Sequence, residues 1–552
     1  MRFLKAVEAI VKILKMEGVE FVSCFPPNTL INPLAEAGVR TILTRQERVA
    51  VNIADGYTRV SFKSGVALVA GGVGIENAFP GLSQAFADLV PMLLFTDQSP
   101  RYRIGARPVQ DFDSLFTLHK VTKWVERINL AYRVPELMRR AYTYLRSGRP
   151  SPVVLELPVD VAQEEFDDEL FDYEPVKGWR CAGDPHDIKV AVRALLSAKN
   201  PLIYAGEGVL YAQAWNELKE FAELIQAPVM TTLKGKSVFP ENHPLSVGNG
   251  GRTGSKVASY FLRKADLIFA IGASLTKGLP HTPIGAPIPK DKTIIQSVVD
   301  ERDINRDYKV DYAIIGDAKL VLKQMIEEVK SQTKPIGNRG EELAEEIRAV
   351  KEEWLNEWMP KLTSNEVPIN PLRVVWDLMH TLDRENAIVT HDSGCPREHL
   401  AAFYEAIIPR GYIGWGHHST LGYSLGGAMG AKLAKPEMTV VNVMGDGGFG
   451  MVGMDFETAV REKIPIITIV LNNSGLGTYF KWTPSTSRLS GDYAKIGEAF
   501  GGYNEKVEDP DEVVPAIKRA EKATKSGRAA LLEIMTKVET EFQTKYWMDL
   551  HY

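Results

Sequence analysis

The sequence contains few cysteines, which excludes whole classes of protein. Only Cys24, Cys181 and Cys395 occur in 552 residues, without CxxC spacing, so neither a disulfide framework nor a cysteine zinc site is predicted. No apolar run approaches the roughly 20 residues that cross a bilayer. The net charge of -5 gives no reason to expect a nucleic acid or an anionic membrane as partner. Residues 1–20 are typical of an amphipathic helix rather than a signal peptide, so we expect a cytoplasmic protein of several domains.

The chain has no short-period repeat and no low-complexity segment. Short β-rich runs alternate with helical patterns instead, which predicts the α/β class with parallel sheets. Three blocks of similar element order predict three doubly wound domains, at residues 1–165, 186–332 and 365–552. We interpret the acidic segment 162–175 as a linker and residues 341–358 as a charged surface helix.

Two apolar runs of the third block end in distinctive polar residues. Residues 438–444 are followed by Gly-Asp-Gly-Gly, and residues 464–471 by Asn-Asn. A helical pattern lies between them, so a right-handed crossover makes the two strands parallel and brings their carboxyl ends to one edge. If the strands are neighbours, about 4.8 Å apart, Asp446 and Asn473 can reach a common ion.

Oxygen ligands of this kind suit Mg²⁺, which usually completes its shell with phosphate oxygens and water. Gly445, Gly447 and Gly448 would let backbone N–H groups approach a phosphate closely. Either motif alone is more often a simple turn after a strand. Because both occur in phase across one βαβ unit, we predict a metal–diphosphate clamp.

These residues resemble the signature of thiamine diphosphate-dependent enzymes. The resemblance is strongest to the acetolactate synthase-like branch, and it also covers the stretches 44–60, 148–161, 310–322 and 476–482. It implies a pyrimidine-binding, a central and a diphosphate-binding domain, with thiamine diphosphate and Mg²⁺ as cofactors. The implied metal ligands are Asp446, Asn473 and Gly475. The implied cofactor contacts are Glu47, Asn77, Gly394, Ser419, Leu421, Gly445, Asp446, Gly447, Gly448, Asn473, Gly475 and Leu476.

The resemblance also implies that Glu47 activates the cofactor. A carboxyl group at the far pyrimidine nitrogen would favour the tautomer that removes the thiazolium proton. Leu421 would hold the cofactor bent, and the Ser419 carbonyl would face the pyrimidine amino group. Without the resemblance, Glu47 is an ordinary helix-start glutamate favoured by the macrodipole, and Leu421 is a core leucine.

The predicted substrate pocket departs from the acetolactate synthase pattern in the loop 24–30. The pocket residues are Pro26, Pro27, Asn28, Val73 and Trp482. Asn28, Gln110 and Lys123 are further catalytic candidates, although Gln110 and Lys123 could equally be surface residues. The loops 24–30 and 71–77 contain no histidine to protonate the enamine expected after decarboxylation. Carboligation to a second carbonyl is therefore expected rather than simple aldehyde release.

The resulting hypothesis is a decarboxylating carboligase of a 2-keto acid, with its sites at the interface of a homodimer or homotetramer. Two alternatives stay open: a thiamine-dependent lyase or decarboxylase of a hydroxyacyl-CoA, diketone or aryl keto acid, and a flavin-linked 2-keto acid oxidase. A non-catalytic paralogue would not be expected to keep Glu47, Asp446 and Asn473. FAD, usual in acetolactate synthases, is left open: residues 248–256 keep the glycine spacing, but the stretch after Ile271 lacks the Asp-Asp-Arg of those enzymes.

Overall fold

The structure is a computed structural model that describes residues 3–251, 253–277, 285–332, 339–477, 481 and 483–548. Within these ranges it contains three six-stranded sheets in which neighbouring strands run parallel, each flanked by helices. This confirms the predicted α/β class and the three doubly wound domains.

The amino-terminal domain contains the first of these sheets. Its strands are β1 (Phe3–Lys5), β2 (Phe21–Cys24), β3 (Arg40–Leu43), β4 (Val66–Val69), β5 (Leu93–Gln98), β6 (Trp124–Arg127), β7 (Val153–Pro158) and β8 (Glu165–Asp167). Its helices are α1 (Ala6–Met16), α2 (Ile31–Glu36), α3 (Glu47–Ser61), α4 (Val73–Ala87), α5 (Ser114–Leu118), α6 (Val134–Arg146) and α7 (Val159–Ala162). The parallel sheet has the order β3-β2-β4-β5-β7-β6.

The segment 162–175 is not an unpacked linker, and that prediction was wrong. Its strand β8 pairs antiparallel with β1, with Phe166 opposite Leu4. Phe166 and Tyr173 are buried in the core of the amino-terminal domain. The many acidic residues of this segment favoured the interpretation as a linker. The hydrophobic effect nevertheless holds the segment against the domain through its buried aromatic side chains.

The central domain repeats the same architecture. Its strands are β9 (Pro201–Ala205), β10 (Val229–Thr231), β11 (Ser246–Asn249), β12 (Leu267–Ile271), β13 (Thr293–Val298) and β14 (Tyr312–Ile315), and its helices are α8 (Pro185–Ser197), α9 (Glu207–Tyr211), α10 (Trp215–Ile225), α11 (Lys256–Lys264) and α12 (Ala318–Gln332). The order is β11-β10-β9-β12-β13-β14. The predicted charged helix follows as α13 (Arg339–Leu362). One side of α13 is buried, since Trp354 stacks on Phe403 with 5.2 Å between ring centroids.

The carboxyl-terminal domain contains the predicted strand–helix–strand unit. Its strands are β15 (Ala387–His391), β16 (Tyr412–Gly414), β17 (Thr439–Gly445), β18 (Ile467–Asn472), β19 (Tyr503–Val507) and β20 (Ala530–Met535). Its helices are α14 (Pro371–Thr381), α15 (Cys395–Phe403), α16 (Tyr423–Ala434), α17 (Asp446–Val452), α18 (Phe456–Arg461), α19 (Pro484–Ser487), α20 (Tyr493–Ala499) and α21 (Val513–Lys525). The order is β16-β15-β17-β18-β20-β19. As predicted, β17 and β18 are parallel neighbours, with Gly445 opposite Leu471.

The amino- and carboxyl-terminal domains meet through α3 and α16. The two backbones are in contact, because a Cβ on Gly430 would lie 2.1 Å from the carbonyl oxygen of Ile53. The Tyr423 hydroxyl donates to Asp55 Oδ1 at 2.7 Å, and Asp55 also pairs with the buried guanidinium of Arg59 at 2.6 Å. This packing holds the start of α3 close to the segment that leads into α16.

None of the helices in the described ranges combines the length and apolar character needed to cross a membrane.

Candidate active site

The carboxyl ends of β17 and β18 bring the predicted metal ligands together. Asp446 directly follows β17 and is only 2% exposed. Its Oδ2 accepts a hydrogen bond from the Gly475 N–H at 2.8 Å, and its Oδ1 accepts from the Gly447 N–H at 2.9 Å. Asn473 follows β18, and its Oδ1 is buried without a hydrogen-bond partner. A carboxylate, a backbone turn and an unpaired amide oxygen therefore share one sheet edge.

These residues fit a magnesium ion. Burial raises the pKa of Asp446 to about 6, because a low-dielectric site disfavours the charged carboxylate. The unpaired oxygen of Asn473 is the second available ligand, and the Gly475 backbone lies beside Asp446, to which its N–H donates. In the described residues no cluster of three or more His, Cys, Asp and Glu side chains could hold a metal. A site of one carboxylate with neutral oxygens is the set that Mg²⁺ accepts together with phosphate.

A glycine-lined cradle lies beside this edge. Gly394 has φ +82° and immediately precedes α15. A Cβ on Gly445 would meet no atom within 4 Å, whereas a Cβ on Gly448 would lie 2.8 Å from Asp392 Oδ1. Leu476 packs over the first turn of α17, since a Cβ on Gly447 would lie 2.7 Å from its Cδ2. Helix starts and bare backbone of this kind suit the diphosphate of a cofactor.

Asp392 is a site residue that the sequence analysis missed. Its carboxylate is buried and accepts hydrogen bonds from the Ser393 N–H at 2.8 Å, the Gly422 N–H at 2.9 Å and the Ser424 hydroxyl at 2.7 Å. Burial raises its pKa, while these hydrogen bonds oppose the shift. Asp392 thereby ties the Gly394 turn to the segment 419–424. The stretch His-Asp-Ser-Gly after a buried strand has the same pattern as Gly-Asp-Gly, and it could have been found by that signal.

The segment 419–424 lies between the two cofactor domains. Ser419 Oγ is 2.5 Å from Ser393 Oγ. The Leu421 carbonyl accepts a hydrogen bond from Arg48 Nη2 at 3.1 Å. Because Arg48 is the second residue of α3, the start of that helix and the predicted cofactor-bending leucine are held in a fixed relation.

Glu47 is the first residue of α3 and is 5% exposed. Its Oε2 accepts a hydrogen bond from Asn77 Nδ2 at 3.2 Å, and a Cβ on Gly74 would lie 3.8 Å from its Oε1. Asn77 is thus placed to orient the Glu47 carboxyl. Among the described residues, no hydrogen bond or ion pair joins Glu47 to Asp446 within one chain.

The predicted substrate residues that the structure describes lie in the loop after β2 and at the start of α4, at the carboxyl edge of the amino-terminal sheet. Pro26 and Pro27 are exposed, and Val73 is 51% exposed. Gln110 is exposed with φ +65°, and its backbone packs on the loop before α4, since a Cβ on Gly72 would lie 2.7 Å from Gln110 Cα. These residues lie at one edge of the sheet. Trp482 lies outside the described residues.

The side chain of Asn28 points into the sheet edge rather than toward a substrate. Its Nδ2 donates to the Val69 carbonyl at 2.8 Å, and its Oδ1 accepts from the Leu30 N–H at 3.0 Å. Both polar atoms are used to hold the loop. We therefore retain Asn28 as a residue that shapes the loop and not as a catalytic group.

Lys123 is not brought to the site. Its Nζ donates to three carbonyl oxygens at and beyond the end of α6, those of Tyr144, Ser147 and Arg149. Lys123 is level with Pro152 at the amino end of β7, about 16 Å along the strands from the carboxyl edge. Burial lowers its pKa to about 8. These contacts give Lys123 a structural role, and we do not keep it as a catalytic candidate.

A separate cavity of about 570 Å³ lies at the carboxyl ends of the central domain's strands, where residues of the other two domains also line it. Glu207 and Lys234 line it and form an ion pair at 3.5 Å, and Arg149 pairs there with Asp303. These four charged side chains of the wall are thus paired with one another.

Comparisons with known proteins agree with this geometry. The family model described as the N-terminal TPP binding domain of thiamine pyrophosphate enzymes matches residues 4–117. The models of the central domain and the C-terminal TPP binding domain match residues 188–325 and 392–534. The chain belongs to the thiamine pyrophosphate enzyme family.

Within this family the chain is similar to acetolactate synthase large subunits. It is 32% identical over 541 residues to a probable acetolactate synthase large subunit of Methanococcus aeolicus, covering 93% of this chain and 89% of that protein. It is 28% identical over 558 residues to acetolactate synthase isozyme 3 large subunit of Escherichia coli (strain K12), covering 97% and 95%. The family assignment therefore includes the acetolactate synthase-like branch.

A solved structure has the same fold. It is an X-ray structure of a putative thiamin diphosphate-dependent enzyme from Mycobacterium smegmatis, with a TM-score of 0.83 and 22% sequence identity, and the match covers 97% of this chain and 100% of that one. At this identity the comparison supports the arrangement of the three domains and no finer statement.

Proposed function

We propose that this family member is a thiamine diphosphate- and Mg²⁺-dependent carboligase that decarboxylates a 2-keto acid. The proposal rests on one observation: Asp446 and Asn473, whose Oδ1 has no hydrogen-bond partner, follow the ends of adjacent parallel strands. The relatives named acetolactate synthase support the substrate class.

The carboxyl-terminal domain would hold the cofactor and the metal. Asp446, Asn473 and the Gly475 carbonyl would bind Mg²⁺, and the backbone at Gly394 and at residues 445–448 would bind the diphosphate. When bound, thiamine diphosphate supplies the nucleophilic carbon and accepts the electron pair that decarboxylation leaves behind. Asp392 keeps the two backbone segments of this cradle in register.

Glu47 would hold the proton that the pyrimidine ring needs. It is buried at the start of α3, and Asn77 orients its carboxyl through the hydrogen bond at 3.2 Å. A buried site of this kind excludes water and strengthens each polar contact. Leu421 and Ser419 would shape the pocket for the cofactor, and the Arg48 contact keeps Leu421 in place.

The substrate loops favour transfer over aldehyde release. Pro26, Pro27 and Val73 present apolar surface at the sheet edge, and the loops 24–30 and 71–77 contain no imidazole. Since simple decarboxylation must end with a proton delivered to the product carbon, the lack of such a donor favours attack on a second carbonyl compound.

The test is a screen of 2-keto acids for CO₂ release with identification of the products. We expect Mg²⁺- and thiamine diphosphate-dependent CO₂ release from pyruvate, with a ligated product such as acetolactate. Product consisting of free aldehyde would contradict the carboligase assignment. Turnover that does not depend on thiamine diphosphate would contradict the cofactor assignment.

We further propose that the active unit is a homodimer or a dimer of dimers. Glu47 makes its side-chain contacts within the amino-terminal domain, whereas the metal edge lies in the carboxyl-terminal domain. Near the contact of the two domains, Leu43, Met451 and Met454 are 42%, 50% and 52% exposed. Exposed apolar side chains such as these favour contact with another protein surface. A second copy of the chain would cover them and would bring its own Asp446 to Glu47.

Mixing two inactive variants should restore activity if each site uses two chains. When Glu47→Gln and Asp446→Ala chains are refolded together, a mixed dimer has one site with both changes and one with neither. Random reassortment makes about half of the dimers mixed, so about a quarter of all sites should recover. The measurement is turnover after mixing, with chain exchange followed by mass tags.

Each variant refolded with itself is the control and should stay inactive. Confirmed exchange without recovered turnover would show that a site is built within one chain.

A further inference from the structure

Asp97 contacts both loops of the predicted substrate pocket and has no role in the function proposed so far. It lies at the carboxyl end of β5. Its Oδ2 accepts a hydrogen bond from the Thr29 N–H at 2.9 Å, and its Oδ1 accepts from the Thr29 hydroxyl at 2.9 Å. Its carbonyl oxygen lies against the other loop, since a Cβ on Gly71 would be 2.5 Å away.

The loop of residues 25–30, which we call the β2 loop, is fastened to two strands. The Phe25 N–H donates to the Leu68 carbonyl at 3.0 Å, and Asn28 Nδ2 donates to the Val69 carbonyl at 2.8 Å. These bonds use β4. The Asp97 side chain adds the only side-chain acceptors from β5 that the described residues show for this loop.

The charged form of the Asp97 carboxyl group is destabilised by its surroundings. Burial raises its pKa to about 7, and the two hydrogen bonds from Thr29 oppose that shift. In the part of the chain that the structure describes, no ion pair compensates it. A half-buried carboxylate whose side chain accepts hydrogen bonds from a single loop residue is best explained by a requirement for that loop's position.

We propose that Asp97 is a positioning residue that locks the β2 loop over the pocket and thereby selects the carbonyl substrates. The inference rests on the proposed function. Pro26 and Pro27 lie on the exposed side of this loop, while Asn28 and Thr29 face the strands. Fixing Thr29 therefore fixes the position of the two proline rings relative to the opposite wall at Val73.

The test replaces Asp97 by leucine and by asparagine and compares the two variants at pH 8. Leucine has a similar size but no acceptor, so it leaves both Thr29 donors unpaired. Asparagine can accept from the Thr29 N–H and donate to the Thr29 hydroxyl, which serves as donor or acceptor. Asp97→Asn is thus the conservative rescue. Thr29→Val, which removes only one bond, is a second variant in case Asp97→Leu does not fold.

We expect Asp97→Leu to speed hydrogen exchange at the Thr29 amide about tenfold or more. In the same variant, KM for the keto acid should rise about tenfold, and the product ratio between two competing acceptors should change. The affinity for thiamine diphosphate should stay within about twofold, because the diphosphate cradle is in another domain. Thr29→Val should change the same quantities in the same direction by less. Asp97→Asn should match the unmodified protein.

The matched control is Asp266→Leu, which removes a loop-anchoring carboxylate of the central domain that accepts from the Lys199 and Asn200 N–H groups. It should leave KM and the product ratio unchanged. Unchanged exchange at Thr29 in Asp97→Leu would overturn the positioning role. Faster exchange with an unaltered product ratio, or an equal change in Asp266→Leu, would overturn the role in substrate selection.

Hydrogen exchange needs no turnover and separates the two proposals. If the unmodified protein shows no thiamine-dependent turnover, the proposed function fails, and unchanged exchange at Thr29 would independently reject the locking of the loop.

Discussion

Replacing Glu47 by glutamine should slow turnover about 10²- to 10⁴-fold, the usual scale for a general acid–base group. Glutamine keeps the shape of the side chain and can keep the hydrogen bond from Asn77, but it cannot deliver a proton to a ring nitrogen. Cofactor affinity should change little. The measurement is the rate of proton exchange at the thiazolium carbon, followed by NMR in the loaded protein, together with kcat.

The control is Glu8→Gln, the same change at another helix start of the same domain. Glu8 lies in the first turn of α1 and accepts a hydrogen bond from the Lys5 N–H, so it tests the ordinary reading of a glutamate that favours a helix macrodipole. Normal proton exchange in Glu47→Gln, or an equal loss in Glu8→Gln, would remove Glu47 from catalysis.

Asp446→Ala should abolish joint binding of Mg²⁺ and thiamine diphosphate. We expect affinity to fall by more than about 100-fold, since even outer partners of metal ligands cost 10- to 100-fold. The Asn473 oxygen and the Gly475 carbonyl alone carry no charge to hold a divalent cation. Calorimetric titration of the cofactor with and without Mg²⁺ measures the effect.

The apo fold should survive this change. Burial raises the pKa of Asp446 to about 6, so the stability that this group contributes is lost as the pH rises through 6, and above that pH its charge opposes folding. Removing it at pH 8 should therefore not lower the unfolding temperature.

Asp509→Ala, at an exposed turn of the same domain, is the control and should bind the cofactor normally. Undiminished cofactor binding by Asp446→Ala would refute the metal site.

The meeting of Asp446 and Asn473 at one sheet edge could be predicted because the pattern is local. Asp446 and Asn473 each directly follow a strand made of buried apolar residues, and a helical crossover joins the two strands, which makes them parallel. Glu47 was predictable in the same way, as the first residue of a helix that follows a strand. The resemblance to thiamine enzymes added their chemical roles, and the three-domain fold followed from the regular alternation of strands and helices.

The residues that the sequence left undecided depend on segments that are distant along the chain. The Lys123 Nζ donates to carbonyl oxygens near the end of α6 rather than to the site. The sequence does not show this, because the partners of a long flexible side chain depend on which segments pack beside it. The sequence does not show whether the Asn28 side chain faces a substrate or the sheet. Only the neighbouring strand β4, whose Val69 carbonyl accepts from Asn28, decides that it faces the sheet.

Asp97 and Thr29 are separated by 68 positions, and they meet only because β4 lies between β2 and β5 in the sheet. The chain by itself thus determined which strand ends carry oxygen ligands, since that depends on neighbours in sequence. Tertiary structure alone decided which polar side chains form the hydrogen bonds that fix the loops, since strand order and burial are set by packing across the whole domain.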